Sequence, residues 1–172
     1  MPQPPIAPWT SRTFPSGLPV SLFRPTLERV RGTPARLESY LTKRLPVLLT
    51  RKPEHGWSIQ THAGHLLQLE PLWAKRLAEL VGKATDLSPA DMKNRATEDA
   101  GYDDMPIGDI LDAFRITRSA LVAGFESLDE AQLTHAAHHP RLHQPMSAID
   151  LAFFVAEHDD HHVAHMTEML AT

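Results

Sequence analysis

The stretch Phe153-Phe154-Val155-Ala156-Glu157-His158-Asp159-Asp160-His161-His162-Val163-Ala164-His165 places four of the chain's eleven histidines within eight residues. Read as a helix at about 100° per residue, it puts His162 roughly 40° from His158, His165 roughly 20° to the other side and His161 roughly 60° away. Leu151, Phe154, Val155 and Met169 share that stripe, whereas Glu157, Asp160 and Glu168 point away from it. The histidines therefore belong to the buried side of a helix, and whatever packs against that helix must satisfy them.

A buried imidazole needs a partner for each nitrogen, and several together cannot all be charged. A divalent cation meets both demands by taking the lone pairs. The i,i+4 spacing of His158 and His162 lets two imidazoles reach one ion from one helix. The residues alone leave two readings open, a metal site or a set of hydrogen-bonded core histidines. The chain has no cysteine, which excludes disulfides, thiolate zinc sites and a cysteine nucleophile, and leaves histidine and carboxylate as the strong metal ligands.

With 172 residues the chain suits one domain with a genuine core. Residues 1–19 carry six prolines and read as an extended arm that Trp9, Phe14 and Leu18 can pin to the body; residues 20–172 form the single domain. A first helical run spans 22–49, in two parts or kinked at Gly32-Thr33-Pro34, with Pro46 ending it. Ser58 caps a second helix reaching about Leu80, with Pro71 inside it. Residues 82–105 read as a long connection with room for a short helix. A third helix starts near Asp103 or Asp104 and ends near Leu128, and a loop rich in histidines, mostly solvent-exposed, follows. Ser147 and Asp150 match a capping box that opens the last helix. No stretch alternates with period two, so the expectation is an all-α four-helix bundle with long crossover connections.

The formal charge is −4 with lysines and arginines scattered, which argues against nucleic acid as a partner. No apolar run nears the ~20 residues of a membrane span, and the Pro-rich start lacks a signal peptide's layout; a cytoplasmic protein without a membrane partner is expected.

The segment Trp57-Ser58-Ile59 through His62, His65 and Glu70 resembles the opening of the second helix in the DinB-like superfamily, which carries a histidine eight residues after the tryptophan. His158-Asp159-Asp160-His161-His162 is similar to that family's second signature, whose first and last histidines bind metal. Gly32-Thr33-Pro34-Ala35-Arg36-Leu37 and His139-Pro140-Arg141-Leu142 through Pro145-Met146 also resemble family segments. The resemblance, which is to superfamily members unrelated to the DNA polymerase of similar name, is closest to the YfiT-like metal-dependent hydrolases and to thiol-dependent S-transferases.

This resemblance implies His65, His158 and His162 as ligands of one divalent ion, zinc or nickel, with an open position for water or substrate. Angular position alone centres His62, not His65, on the buried face of the second helix; the resemblance decides for His65. His62 then becomes the candidate catalytic base or a residue touching substrate or ligand, against the plainer reading of a hydrogen-bonded core histidine. His161 and His165 lean toward support. Arg141 is the candidate for binding an anionic substrate group, against a loop brace, and the angle of Glu70 favours a surface or inter-helix salt bridge.

The implied enzyme activates a low-molecular-weight thiol such as bacillithiol for S-transfer to a small molecule, or water for hydrolysis. A non-catalytic metal-binding stress or structural bundle is the alternative class. Family members are often dimers, which implies a homodimer.

Overall fold

The computed structural model describes residues 4–171. Four long helices form the body, α1 (Phe23–Leu41), α3 (Ile59–Val81), α5 (Ile107–Glu126) and α7 (Ala148–Leu170), with the short α2 (Pro46–Leu49), α4 (Arg95–Asp99) and α6 (Glu130–Thr134) between them. The architecture is an all-α four-helix bundle. Helices α1 and α3 each pack chiefly on both α5 and α7, so α1 and α3 sit on a diagonal. None of these helices is long and apolar enough to cross a membrane.

Local chemistry sets the helix starts. Ser58 accepts the N–H of Thr61 at 2.9 Å and caps α3. Ser147 and Asp150 close a capping box on α7, with Asp150 receiving the Ser147 N–H at 2.9 Å. A second box, Asp129 with Gln132, opens α6. Each cap is worth about 1 kcal/mol.

The first helix departs from expectation. It runs unbroken through Pro34 and ends at Leu41, while Pro46 opens α2 at its first turn, where a missing N–H leaves nothing unpaired. Pro34 deprives the carbonyl of Val30 of its usual donor, and the guanidinium of Arg118 supplies one instead at 3.0 Å. At α5 the residue before the helix is Pro106 rather than Asp103 or Asp104; Asp103 instead accepts the hydroxyls of Ser58 and Thr61 at the start of α3.

Two strands correct the expectation of no β-structure. Strand β1 (Ala136–His139) pairs antiparallel with β2 (Gln144–Ser147), Ala136 opposite Ser147 and His139 opposite Gln144. Strands of four residues are too short to display a period. The turn between them uses His143 at φ 52°, and Leu87 and Thr85 exchange backbone hydrogen bonds with His138, extending the edge of β1.

The core is divided. Phe23, Leu27 and Val30 of α1, Trp73, Leu77 and Leu80 of α3, Leu121, Val122 and Phe125 of α5, and Leu151, Phe154 and Val155 of α7 form one apolar cluster. Leu37 and Leu41, Ile59 and Leu66, Ile110 and Phe114, and Val163 and Met166 form the other. Between them lies a buried polar layer to which the four helices contribute Thr33, Glu70, Arg118 and Asp159. The order in which each helix meets the two clusters fixes its direction: α1 runs with α7, and α3 runs with α5. Joining two parallel helices requires a return the length of the bundle, which is why the connection over 82–106 is long.

Candidate metal centre

Helix α3 contributes His65 and α7 contributes His158 and His162; all three are buried, and a ligand atom of each lies within 4.8 Å of the others. The Nδ1 of His65 meets the Thr97 hydroxyl at 2.9 Å, and the Nδ1 of His162 meets the Nδ1 of His62 at 2.8 Å. With those nitrogens taken, His65 and His162 keep Nε2 for the interior, where the Nε2 atoms of His162 and His158 stand 3.2 Å apart. The Nδ1 of His158 is buried without a partner among the described residues.

Burial is the leading cause that lowers the pKa of each imidazole, and neighbouring histidines add to it. His65 falls to about 4 and His62 to about 3, while His158 and His162 lie well below the ordinary value. The cluster is neutral at pH 7, with lone pairs free to bind a cation. The donor set fits a divalent metal: two nitrogens sharing a tetrahedral ion at about 2.0–2.1 Å would sit about 3.3 Å apart, close to the observed His158–His162 spacing.

The long connection holds the site from outside. Helix α4 carries Thr97 to His65, and Tyr102 packs so tightly on Gly64 that a Cβ there would lie 2.2 Å from the ring. Tyr102 also donates its hydroxyl to Gln68 at 2.9 Å. This second covered face explains why angular position misjudged α3, for His65 is buried beneath the connection while His62 is half-buried. The ring of Trp57 lies 4.7 Å from that of His65.

The arm closes another side. Trp9 meets His158 edge-on at 4.9 Å between centroids and also touches Phe14 and Phe154. Gly17 and Leu18 donate their N–H groups to Asp150 at 3.1 and 2.9 Å, and Arg12 pairs with Glu157. His161 lies against Trp9 and His165, and burial with the charge of His165 and Arg12 takes it to about 4; His165 stacks on His62 at 5.4 Å.

The trio opens on a cavity of about 550 Å³ whose walls include all three tryptophans, Arg76, Arg141 and His139. Of the loop histidines, 138 and 143 are exposed and 135 is half-buried, but His139 is 1% exposed because the inward face of β1 carries it into the cavity wall. That corrects its expected exposure. Glu70 forms an inter-helix pair with Arg118 at 2.7 Å. Arg118, Thr97 and Arg76 were not singled out by the sequence pattern, and Asp159 and His139 entered it only as members of the segments that resemble the family. For Arg118 the signal was present, since it falls on the apolar stripe of Ile110, Phe114, Leu121 and Phe125.

No curated protein matches the chain significantly. Among solved structures, YfiT from Bacillus subtilis, described as a probable metal-dependent hydrolase with an unusual four-helix bundle topology, superposes with a TM-score of 0.80 over 92% of this chain and 91% of that one at 17% identity. The two share a fold. The family model of the DinB superfamily matches residues 27–166, and the chain belongs to that superfamily.

Proposed function

We propose that the chain is a metal-dependent enzyme acting on a small organic molecule, with His65, His158 and His162 as the metal ligands. The observation that carries this reading is three neutral, buried imidazoles from two helices gathered on the wall of a cavity of ligand size. A divalent ion such as zinc or nickel supplies Lewis acidity there, making a thiol or water nucleophilic at neutral pH. Thr97 orients His65, and His62, through Nδ1, orients His162, in the manner of the outer hydrogen bonds that fix metal-binding imidazoles. Trp9, Trp57 and Trp73 line the cavity and shed water from it.

The leading reaction is S-transfer from a low-molecular-weight thiol such as bacillithiol, which must come from outside because the chain has no cysteine. Hydrolysis is the second reading, favoured by the description of the YfiT structure. A structural staple fits less well, since staples normally close four protein ligands around the ion, whereas among the described residues the cluster numbers three.

Elemental analysis of untagged protein tests the site: stoichiometric metal in the wild type and little in His158→Ala is expected, and equal metal in both overturns it. Turnover of an electrophile only when thiol is added supports transfer; turnover unchanged without thiol leaves the hydrolase.

A further inference from the structure

Across the cavity wall from the histidine trio lies a cluster of donors, two of which have no acceptor among the described residues. Arg76 is 1% exposed, yet among the described residues it pairs with no carboxylate. Its Nε donates to the carbonyl of Ser88 at 2.9 Å, and its Nη1 faces the Nε2 of His139 at 3.1 Å. The Nδ1 of His139 accepts the N–H groups of Arg141 and Leu142, both at 3.2 Å. Two N–H groups directed at Nδ1 favour the tautomer of a neutral His139 that carries its hydrogen on Nε2, where it meets the donors of Arg76. The nearby carboxylate of Glu79 is taken by the N–H and hydroxyl of Ser88. Asp91, also on the wall, is exposed and accepts the N–H groups of Lys93 and Arg95.

Arg141 repeats the pattern. Its guanidinium lies over the rings of Trp9, Phe14 and Phe154 at 6.0, 6.0 and 5.7 Å, and its Nη2 is buried with no hydrogen-bond partner among the described residues. Its charge is felt at Arg76 and at His139, where burial followed by the two guanidiniums lowers the imidazole to about 3. The indole N–H of Trp73, on the same wall, is likewise buried and unpaired among the described residues. Like charges brought together in a half-closed, aromatic-walled space, with Arg141 Nη2 and Trp73 Nε1 unclaimed among the described residues, are unfavourable unless an anion completes them.

We propose that Arg76, Arg141 and His139 form a seat for a carboxylate of the substrate, and that the substrate is a small organic acid with an apolar body. The inference deepens the enzyme reading and rests on it for the word substrate. A carboxylate can accept from both guanidiniums and from His139 Nε2 at once, leaving the apolar body against Trp9, Trp73 and Phe154 and its far end toward His65, His158 and His162.

All three tryptophans of the chain line this cavity, so binding can be read by their fluorescence. The probes are 3-phenylpropionate and its neutral isostere 3-phenylpropionamide, titrated into metal-loaded and metal-stripped wild type and into Arg141→Gln. We expect the acid to bind at least about ten-fold tighter than the amide, the worth of a charge-assisted hydrogen bond, with and without metal. In Arg141→Gln the preference should fall several-fold at unchanged metal content. Equal binding of acid and amide overturns the seat, as does an undiminished preference in Arg141→Gln. A preference that vanishes on stripping also overturns it, by placing the carboxylate on the ion. Inorganic phosphate binding as tightly as the acid overturns the apolar body. Absence of metal from the wild type with the preference intact defeats the metal reading alone.

Discussion

Arg118→Met removes the one cation of the layer that separates the two apolar clusters. Arg118 is 1% exposed and uses its donors on Glu70 at 2.7 Å, Asp159 at 3.1 Å and the Val30 carbonyl at 3.0 Å. Methionine fills much the same space, so the loss is electrostatic: two carboxylates, 2% and 0% exposed, are left facing each other. Removing one partner from a buried ion pair costs about 3–5 kcal/mol. The orphaned Val30 carbonyl, which Pro34 already denies its helical donor, puts the loss near the upper end, at about 5 kcal/mol. For a chain of this size that lowers Tm by roughly 10–20 °C.

Urea unfolding followed by far-UV circular dichroism at pH 7.5 measures it. The pH dependence has a definite sign. In the folded protein the pKa of Glu70 is raised, chiefly by burial, while Arg118 pulls against the rise. A carboxyl with a raised folded pKa contributes stability that is full below its unfolded value, near 4.3, and is lost as pH climbs through the folded value. Without Arg118 the folded value climbs further, so the deficit of Arg118→Met relative to wild type should shrink from pH 8 toward pH 5. Adding Glu70→Gln to the variant should recover part of the loss, a non-additivity expected of contacting groups. A deficit below about 1 kcal/mol at pH 7.5, or one that grows on acidification, would refute this account of the layer.

Gly64→Ala forces a methyl group into the ring of Tyr102 and must push the connection away from α3; a loss of about 1–3 kcal/mol is expected for such overpacking, and competition with a chelator should show weakened metal retention as Thr97 leaves His65. His62→Ala removes the contact that orients His162 but no proposed ligand; metal affinity should fall roughly 10–100-fold while stoichiometry at saturating metal stays the same, and complete loss of metal would make His62 a ligand itself.

The histidine stripe of α7, the Ser58 cap and the Ser147–Asp150 box were legible because each is a local pattern whose periodicity or spacing lies within one helix. His65 was not legible from position. Its burial depends on a connection returning between parallel helices, which no helical projection contains, and the choice over His62 came from the motif resemblance. Arg118 was hidden for the opposite reason: its place on the apolar stripe was visible, but its partners Glu70 and Asp159 come from other helices. The β-hairpin escaped because Ala136–His139 and Gln144–Ser147 are stabilised by pairing with each other and with Thr85–Leu87, not by any alternation of their own. His139 went with it, since only the strand's facing makes it a wall residue rather than a loop residue.

Asp150 does more than start a helix. Its carboxylate receives Ser147 N–H at 2.9 Å from its own turn, and also Gly17 at 3.1 Å and Leu18 at 2.9 Å from the arm. The first turn of α7 and residues 17–18 of the arm are thus fastened at one shared side chain, beside the Arg12–Glu157 pair and the packing of Trp9 and Phe14 on Phe154. Eight residues further on, about 12 Å along the helix, stands His158, covered by the arm's Trp9. A substitution at residues 16–18 is therefore expected to loosen this part of the cover over His158 while leaving His65, His158 and His162 themselves untouched, and hydrogen exchange at the Gly17 and Leu18 amides would measure the loosening.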